Sequence, residues 1–130
     1  MTTSPPEART ILLVDDDPEI RGILRAMLEG RGFNILEAPT AEAGRFRLLT
    51  SKVDLVFLDL GLPAESGPEL CAYIKKEMPP PVPKVVMLTV HDEAEAWVMG
   101  LESGPDVYAV KPFGLDRILM LVDNLLGEGA

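Results

Sequence analysis

A short apolar run that stops abruptly at an acid constrains this chain more than any other feature. The run is Leu55 to Leu58 within VDLVFLDLGLP, and Asp59 follows it, with Gly61 and Pro63 as turn residues behind. Its residues show neither the alternation of a half-exposed strand nor the spacing of a helix, which predicts a strand buried on both faces. Asp59 then lies at the carboxyl end of that strand, where ligands bind in open α/β sheets.

Similar apolar runs alternate with segments of helical spacing along the rest of the chain. The predicted strands are Ile11 to Val14, Phe33 to Ala38, the run ending at Asp59, Lys84 to Thr89 and Val107 to Val110, and the predicted helices begin near Pro18, Ala41, Gly67, Asp92 and Leu115. This alternation implies right-handed crossovers and a parallel sheet with helices on both faces. We therefore expect one α/β domain over residues 10–126, after a flexible lead at 1–9 and before a tail at 127–130.

The spacing of apolar residues also assigns faces to the helices. Asp17 is the expected N-cap of the first helix, with Pro18 at its first position. One side of the second helix carries Ala43, Phe46 and Leu49, and the third helix has Leu70, Cys71 and Ile74 as its inner face. The last helix has an expected inner stripe of Leu115, Ile118, Leu119, Val122 and Leu126, with Met120 opposite and Leu121 on a flank.

Composition narrows the classes of partner. The chain has 12 basic and 21 acidic residues and a net charge of −9, which argues against unaided binding to DNA, RNA or an anionic membrane. A single cysteine, Cys71, allows no intramolecular disulfide. No apolar segment has the form of a signal peptide or the length of a membrane span, so a cytoplasmic protein is the default expectation.

Polar residues follow four of the five predicted strands. Asp15 and Asp16 come after the first strand, Asp59 ends the third, Thr89 ends the fourth and Lys111 follows the fifth. Carboxylates crowded at one sheet edge need a cation, and Mg²⁺ favours carboxylates together with water and phosphate oxygens. A hydroxyl and an ammonium supply donors for an anion, so the set indicates phosphoryl transfer to a carboxylate.

The segments ILLVDDDP, VFLDLGLP, VVMLT and YAVKPF resemble the signature segments of the two-component response-regulator receiver domain, in the CheY-like superfamily. The resemblance covers about the whole of Thr10 to Leu126. It implies a flavodoxin-like (βα)5 sandwich with a five-stranded parallel sheet in the order 2-1-3-4-5. It also implies a signalling phosphoacceptor that catalyses only its own Mg²⁺-dependent phosphorylation and dephosphorylation.

The resemblance assigns the metal-binding residues and the phosphoacceptor. Asp59 would accept the phosphoryl group. Asp16 would bind Mg²⁺ directly and Asp15 mainly through water, with Asp59 and the backbone carbonyl of Gly61 completing the protein ligands. Mn²⁺ would be able to replace Mg²⁺ at such a site.

It also assigns the residues that respond to the phosphate. Thr89 would hydrogen-bond the acyl phosphate and Lys111 would pair with it. Tyr108 matches the switch aromatic of the family, which turns inward as Thr89 moves toward the phosphate. The peptide bond between Lys111 and Pro112 would be cis.

By the same resemblance the partners are proteins. A sensor histidine kinase or a histidine phosphotransfer protein would supply the phosphoryl group, and the output partner is unidentified. Apolar residues such as Trp97 in the fourth helix and Met120 in the fifth are either ordinary surface residues or part of a face, formed by those helices and the fifth strand, that binds a partner or a second copy on phosphorylation. The chain is expected to be either a stand-alone regulator or a receiver cut from a longer protein.

Two other readings remain open. A haloacid-dehalogenase-like phosphatase also uses an aspartyl nucleophile, Mg²⁺, threonine and lysine, but its D-x-D-x-T/V pattern fails here because Asp17 is followed by Pro18 and Glu19. The third reading is a scaffold that kept the receiver fold and acts without phosphorylation. The set of Asp59, Thr89 and Lys111 argues against that scaffold.

The sequence departs from the family at two positions near the site. Val90 follows Thr89 where the family has a very small residue, and Pro105 stands in the turn before the fifth strand where alanine is usual. A β-branched side chain at Val90 would narrow access to Asp59 or hinder the inward turn of the switch aromatic. His91, the single histidine, is either a proton-transfer or tuning group at the rim or simply a solvated residue.

Replacing Val90 with alanine should speed phosphorylation or dephosphorylation of Asp59, because the smaller side chain opens the approach to the carboxylate. Time courses of phosphorylated protein, with donor present and after its removal, would measure both rates. If neither rate changes, Val90 does not restrict the site.

Overall fold

A parallel sheet lies at the centre of the computed structural model, which describes residues 8–60, 67–89, 104–111 and 113–127. Its strands are β1 (Thr10–Val14), β2 (Asn34–Ala38), β3 (Leu55–Asp59), β4 (Lys84–Thr89) and β5 (Val107–Val110). All paired strands run parallel, in the order β2-β1-β3-β4-β5. The predicted five-stranded parallel sheet in the order 2-1-3-4-5 is confirmed. The strand bounds differ from the sequence prediction by no more than the end residues.

The helices in the described residues are α1 (Pro18–Glu29), α2 (Ala41–Thr50), α3 (Gly67–Glu77) and the C-terminal helix (Leu115–Leu126). None of them is both long enough and apolar enough to cross a bilayer. The helix predicted from Asp92, together with Trp97, lies outside the described residues.

The sheet separates two apolar cores. All five residues of β3 are buried, and they alternate between the two sides. Val56 and Leu58 pack with α2 and α3, whereas Leu55 and Phe57 pack with α1 and the C-terminal helix. The prediction that this strand is buried on both faces is confirmed.

The first helix begins as its sequence predicts. Asp17 has extended backbone angles, and its Oδ1 accepts a hydrogen bond from the backbone N–H of Glu19 at 2.9 Å. Pro18 follows at the first helical position, where its missing N–H costs nothing because that group has no partner inside the helix. This cap turns the chain away from the sheet directly after β1.

The packing of α2 differs from its apolar spacing. Ala41, Gly44 and Leu48 face the sheet, whereas Phe46 is 63% exposed and Leu49 is 71% exposed. A Cβ atom at Gly44 would lie 3.2 Å from the side chains of Leu70 and Val14. The helix lies so close to the sheet that small residues make the contact, and the larger apolar side chains are turned outward.

The buried stripe of the C-terminal helix is rotated from the predicted one. Ile118 and Val122 are buried and Met120 is exposed, as expected, but Leu121 is only 7% exposed and Leu115 is 47% exposed. Leu121 and Val122 lie three and four residues after Ile118, the spacing of neighbours on one helix face. Leu121 therefore belongs to the inner stripe, and Leu115 does not.

On α3 the predicted inner residues are all buried, namely Leu70, Cys71 and Ile74.

A substitution at Gly67 should disturb the end of β3. A Cβ atom there would lie 2.4 Å from the backbone oxygen of Asp59 and 2.9 Å from Cα of Leu60, so Gly67→Ala should cost about 1–3 kcal/mol through overpacking. Gly22 is the matched control, because a Cβ atom there meets nothing within 4 Å and alanine in the α1 interior should add ~0.5–1 kcal/mol. Urea unfolding of both variants measures these changes. A Gly67→Ala protein as stable as the wild type would contradict this packing.

Candidate functional site

Strand register brings the polar residues to one edge of the sheet. Asp59, the last residue of β3, pairs with Leu88, one residue before Thr89. Thr89 in turn pairs with Val110, one residue before Lys111. Because neighbouring parallel strands end at the same level, a carboxylate, a hydroxyl and an ammonium are delivered to adjacent positions.

Three carboxylates form a cluster at this edge. One oxygen from each of Asp15, Asp16 and Asp59 lies within 4.8 Å of the others. Asp15 is 1% exposed and Asp59 is 9% exposed, whereas Asp16 lies at the surface. The cluster is thus buried on one side and open to solvent on the other.

Lys111 supplies positive charge to this cluster. Its Nζ lies 2.9 Å from Oδ2 of Asp15 and 3.7 Å from Oδ1 of Asp59, and its side chain is 14% exposed. Its backbone N–H also donates to the carbonyl oxygen of Thr89 at 2.7 Å. The ammonium is therefore fixed between two carboxylates, and it offsets part of their mutual repulsion.

Every polar group of Asp15 has a partner. Its backbone N–H donates to the carbonyl of Ala38 at 3.1 Å, and its Oδ1 accepts from the backbone N–H of Asp17 at 2.9 Å. Its carbonyl oxygen accepts from Nη1 of Arg21 at 2.6 Å. A buried carboxylate held from so many directions keeps one orientation, which gives the acidic loop a defined shape.

A second charged group supports the same loop. Nε of Arg21 lies 2.8 Å from Oε1 of Glu37 on β2, and Arg25 also bonds to Glu37. Burial alone would raise the pKa of Glu37, but hydrogen bonds from Arg21 and Arg25 outweigh it and lower the pKa below its ordinary value. The pairing of Arg21 with Glu37 was not predicted from the sequence. The available signal was an acid inside the otherwise apolar segment of β2, which needs a cationic partner.

The remaining predicted residues fall into two groups. Thr89 is 1% exposed, and Tyr108 is half-buried beside the core that α2 and α3 cover. The other predicted positions, Gly61, Val90, His91 and the peptide bond to Pro112, lie outside the described residues.

The donor set of the cluster fits a hard divalent cation. Carboxylate oxygens are the ligands that Mg²⁺ and Mn²⁺ prefer, and the exposed side at Asp16 leaves space for the waters that Mg²⁺ retains. The cluster contains neither histidine nor cysteine, which separates it from a typical zinc site.

A known protein family and several curated relatives match most of the chain. Residues 11–123 match the family model described as the response regulator receiver domain. The chain is 37% identical to the transcriptional regulatory protein ResD of Bacillus subtilis, over 89% of the chain and 47% of the relative. It is 41% identical to the phosphate regulon transcriptional regulatory protein PhoB of Escherichia coli, over 92% of the chain and 52% of the relative. The chain spans about half the length of these curated relatives.

Solved structures show the same fold. A response regulator receiver domain protein (CheY-like) from Methanospirillum hungatei superimposes with a TM-score of 0.85 at 30% identity, covering 94% of this chain and 96% of that one. A response regulator described as putative, from Chloroflexus aurantiacus, gives a TM-score of 0.87 at 27% identity over 94% of this chain and the whole of the other.

The pairing of Lys111 with Asp15 should be measurable by a double-mutant cycle in a chelator. Lys111→Met leaves a buried carboxylate beside two others without its ammonium and should cost about 1–3 kcal/mol. Adding Asp15→Asn should recover a large part of that loss, since one of the repelling charges disappears. Urea unfolding of the two single variants and the double variant gives the coupling energy.

Lys76 provides the control for this cycle, because it is an exposed lysine on α3 with no ion pair in the described part of the chain. Lys76→Met should change the free energy of unfolding by less than about 0.5 kcal/mol. A loss of stability in the double variant equal to the sum of the losses in the two single variants would show that the two side chains are not coupled.

Proposed function

The chain belongs to the response-regulator receiver domain family, and on that premise we propose that Asp59 accepts a phosphoryl group from a phosphohistidine. The donor is a sensor histidine kinase or a histidine phosphotransfer protein of a two-component or phosphorelay system. The observation that carries this proposal is the position of Asp59 within the cluster of three carboxylates, with the Lys111 ammonium 3.7 Å from its Oδ1.

The reaction is a displacement at phosphorus. An Oδ atom of Asp59 forms a bond to phosphorus while the bond from phosphorus to the donor nitrogen breaks, and the product is an aspartyl phosphate. The carboxylates around Asp59 repel the incoming phosphoryl group, so positive charge is the main requirement of the site. Asp16, Asp59 and the Gly61 carbonyl would hold Mg²⁺, with Asp15 acting mainly through water, and the ion would supply positive charge for the phosphoryl oxygens.

Lys111 and Thr89 act on the product. The ammonium of Lys111 already lies between Asp15 and Asp59, and a small shift away from Asp15 lets it pair with a phosphoryl oxygen. The hydroxyl of Thr89, at the end of the neighbouring strand, donates to another phosphoryl oxygen. These two contacts orient the phosphoryl group without forming any covalent bond to it.

Tyr108 couples phosphorylation of Asp59 to a change at the protein surface. Movement of Thr89 toward the phosphate clears space beside β4, and Tyr108 on the adjacent strand turns inward to fill it. This changes the face formed by β5 and the C-terminal helix, where Val110, Leu115 and Met120 are exposed. We assign to that face, together with the helix predicted before β5, the binding of an output partner or of a second copy of the chain.

The output of the whole protein is proposed by analogy with its relatives. ResD and PhoB are transcriptional regulatory proteins of about twice the matched length, so regulated transcription is the proposed output. The receiver itself is assigned no direct contact with nucleic acid, since its net charge of −9 opposes phosphate binding.

Intact-mass measurement after incubation with Mg²⁺ and a small phosphodonor tests this function. The wild type should gain one phosphoryl group, and Asp59→Asn should gain none, because an amide is not a nucleophile for this displacement. Asp116→Asn, at an exposed acid in the C-terminal helix, is the matched control and should be modified like the wild type.

Other outcomes would contradict the proposal in distinct ways. Rapid consumption of donor without an adduct would favour the phosphatase reading. Absence of any reaction with small donors and with histidine-phosphorylated proteins would favour a scaffold that works without phosphorylation. A phosphoryl group that persists on Asp59→Asn would place the acceptor elsewhere.

A further inference from the structure

We propose that Arg21 is a positioning residue for the divalent cation: it fixes the peptide between Asp15 and Asp16 and thereby directs the Asp16 carboxylate into the cluster. The inference rests on the proposed function, because it concerns the same metal site. Arg21 itself reaches no carboxylate of the cluster in the described structure. It acts on the cluster through the backbone of Asp15.

Asp16 depends on its backbone for its direction. It lies at the surface, and its carboxylate makes no hydrogen bond or ion pair in the described part of the chain. Asp15 differs, since Lys111 and the backbone N–H of Asp17 hold its carboxylate. A carboxylate without a side-chain partner is placed by the peptide from which it projects.

That peptide is held at one end by Arg21. The carbonyl of Asp15 and the N–H of Asp16 belong to one planar unit, so fixing the carbonyl oxygen also fixes the plane that leads into Asp16. The bond from Nη1 of Arg21 to this oxygen is 2.6 Å long. Because Asp15 is 1% exposed, loss of the guanidinium would leave its carbonyl without a donor and free the peptide to rotate toward another one.

An arginine suits this position for two reasons. Its planar fork donates to the Asp15 carbonyl with Nη1 and to Glu37 with Nε, so the guanidinium is held at both ends. Glu37 also offsets its positive charge. An unpaired guanidinium beside the acidic loop would repel the cation that the loop binds, and the pairing with Glu37 weakens that repulsion.

Arg25 is the control that distinguishes a positioning role of Arg21 from general stabilisation of the fold. It bonds to the same Glu37 and also to Glu29, so it ties α1 to β2 as Arg21 does. In the described part of the chain Arg25 makes no hydrogen bond or ion pair with Asp15, and its side chain is 41% exposed. Loss of either arginine weakens the attachment of α1, but only loss of Arg21 releases the peptide that carries Asp16.

Calorimetric titration with Mg²⁺ alone tests this inference, without any phosphodonor. Arg21→Ala should weaken Mg²⁺ binding roughly tenfold, the lower end of the cost of losing a group that orients a metal ligand. Arg25→Ala should stay within about twofold of the wild type, because the Asp15 carbonyl keeps its donor. The Mg²⁺ affinity of Arg21→Lys should lie between those of the two alanine variants, because a single ammonium replaces a guanidinium fork that donates to two acceptors. Urea unfolding of each variant shows how far stability changes alongside affinity.

The measured Mg²⁺ affinities distinguish the positioning role of Arg21 from the proposed function. Equal Mg²⁺ affinities in Arg21→Ala and Arg25→Ala would overturn the positioning role while leaving the proposed function intact. A wild type that binds no Mg²⁺ would overturn the proposed function and this inference together. If Arg21→Ala does not fold, Arg21→Lys and Arg25→Ala provide the same comparison, and equal affinities in that pair would again overturn the inference.

Discussion

Mutual repulsion among three carboxylates is the constraint on which the rest of this structure depends. Asp15, Asp16 and Asp59 meet within 4.8 Å, and two of them are almost fully removed from water. Such a cluster is stable only where cations and hydrogen-bond donors are held against it. Lys111 supplies one of these charges, and the surrounding loop supplies donors.

Much of the fold and part of the site follow from short-range patterns. Strand residues and their ends were predictable because an apolar run of four or five residues between turn signals has few other interpretations. The position of Asp59 at a strand end placed it beside Thr89 and Lys111, because parallel strands share one carboxyl edge. The contacts that depend on how a helix rests on the sheet were not predictable in this way.

Two features illustrate that limit. Phe46 was a reasonable candidate for the side of α2 that faces the sheet, yet Gly44 makes the close approach and Phe46 is exposed. The bond from Arg21 to the carbonyl of Asp15 joins residues six apart through a turn, and no residue pattern marks a backbone acceptor. Apolar spacing identifies a helix, but the side it buries is set by the space available above the strands.

The division of the interior by the sheet has a consequence for how this domain tolerates change. Side chains alternate along each strand, so Asp59 belongs to the side of Phe57 and Thr89 to the side of Met87. The side chains of the two halves pack in separate clusters, so the effects on folding of substitutions at distant positions in different halves should add independently. The two halves can therefore accumulate sequence changes separately, while the carboxyl edge, which draws residues from both, restricts what either half accepts.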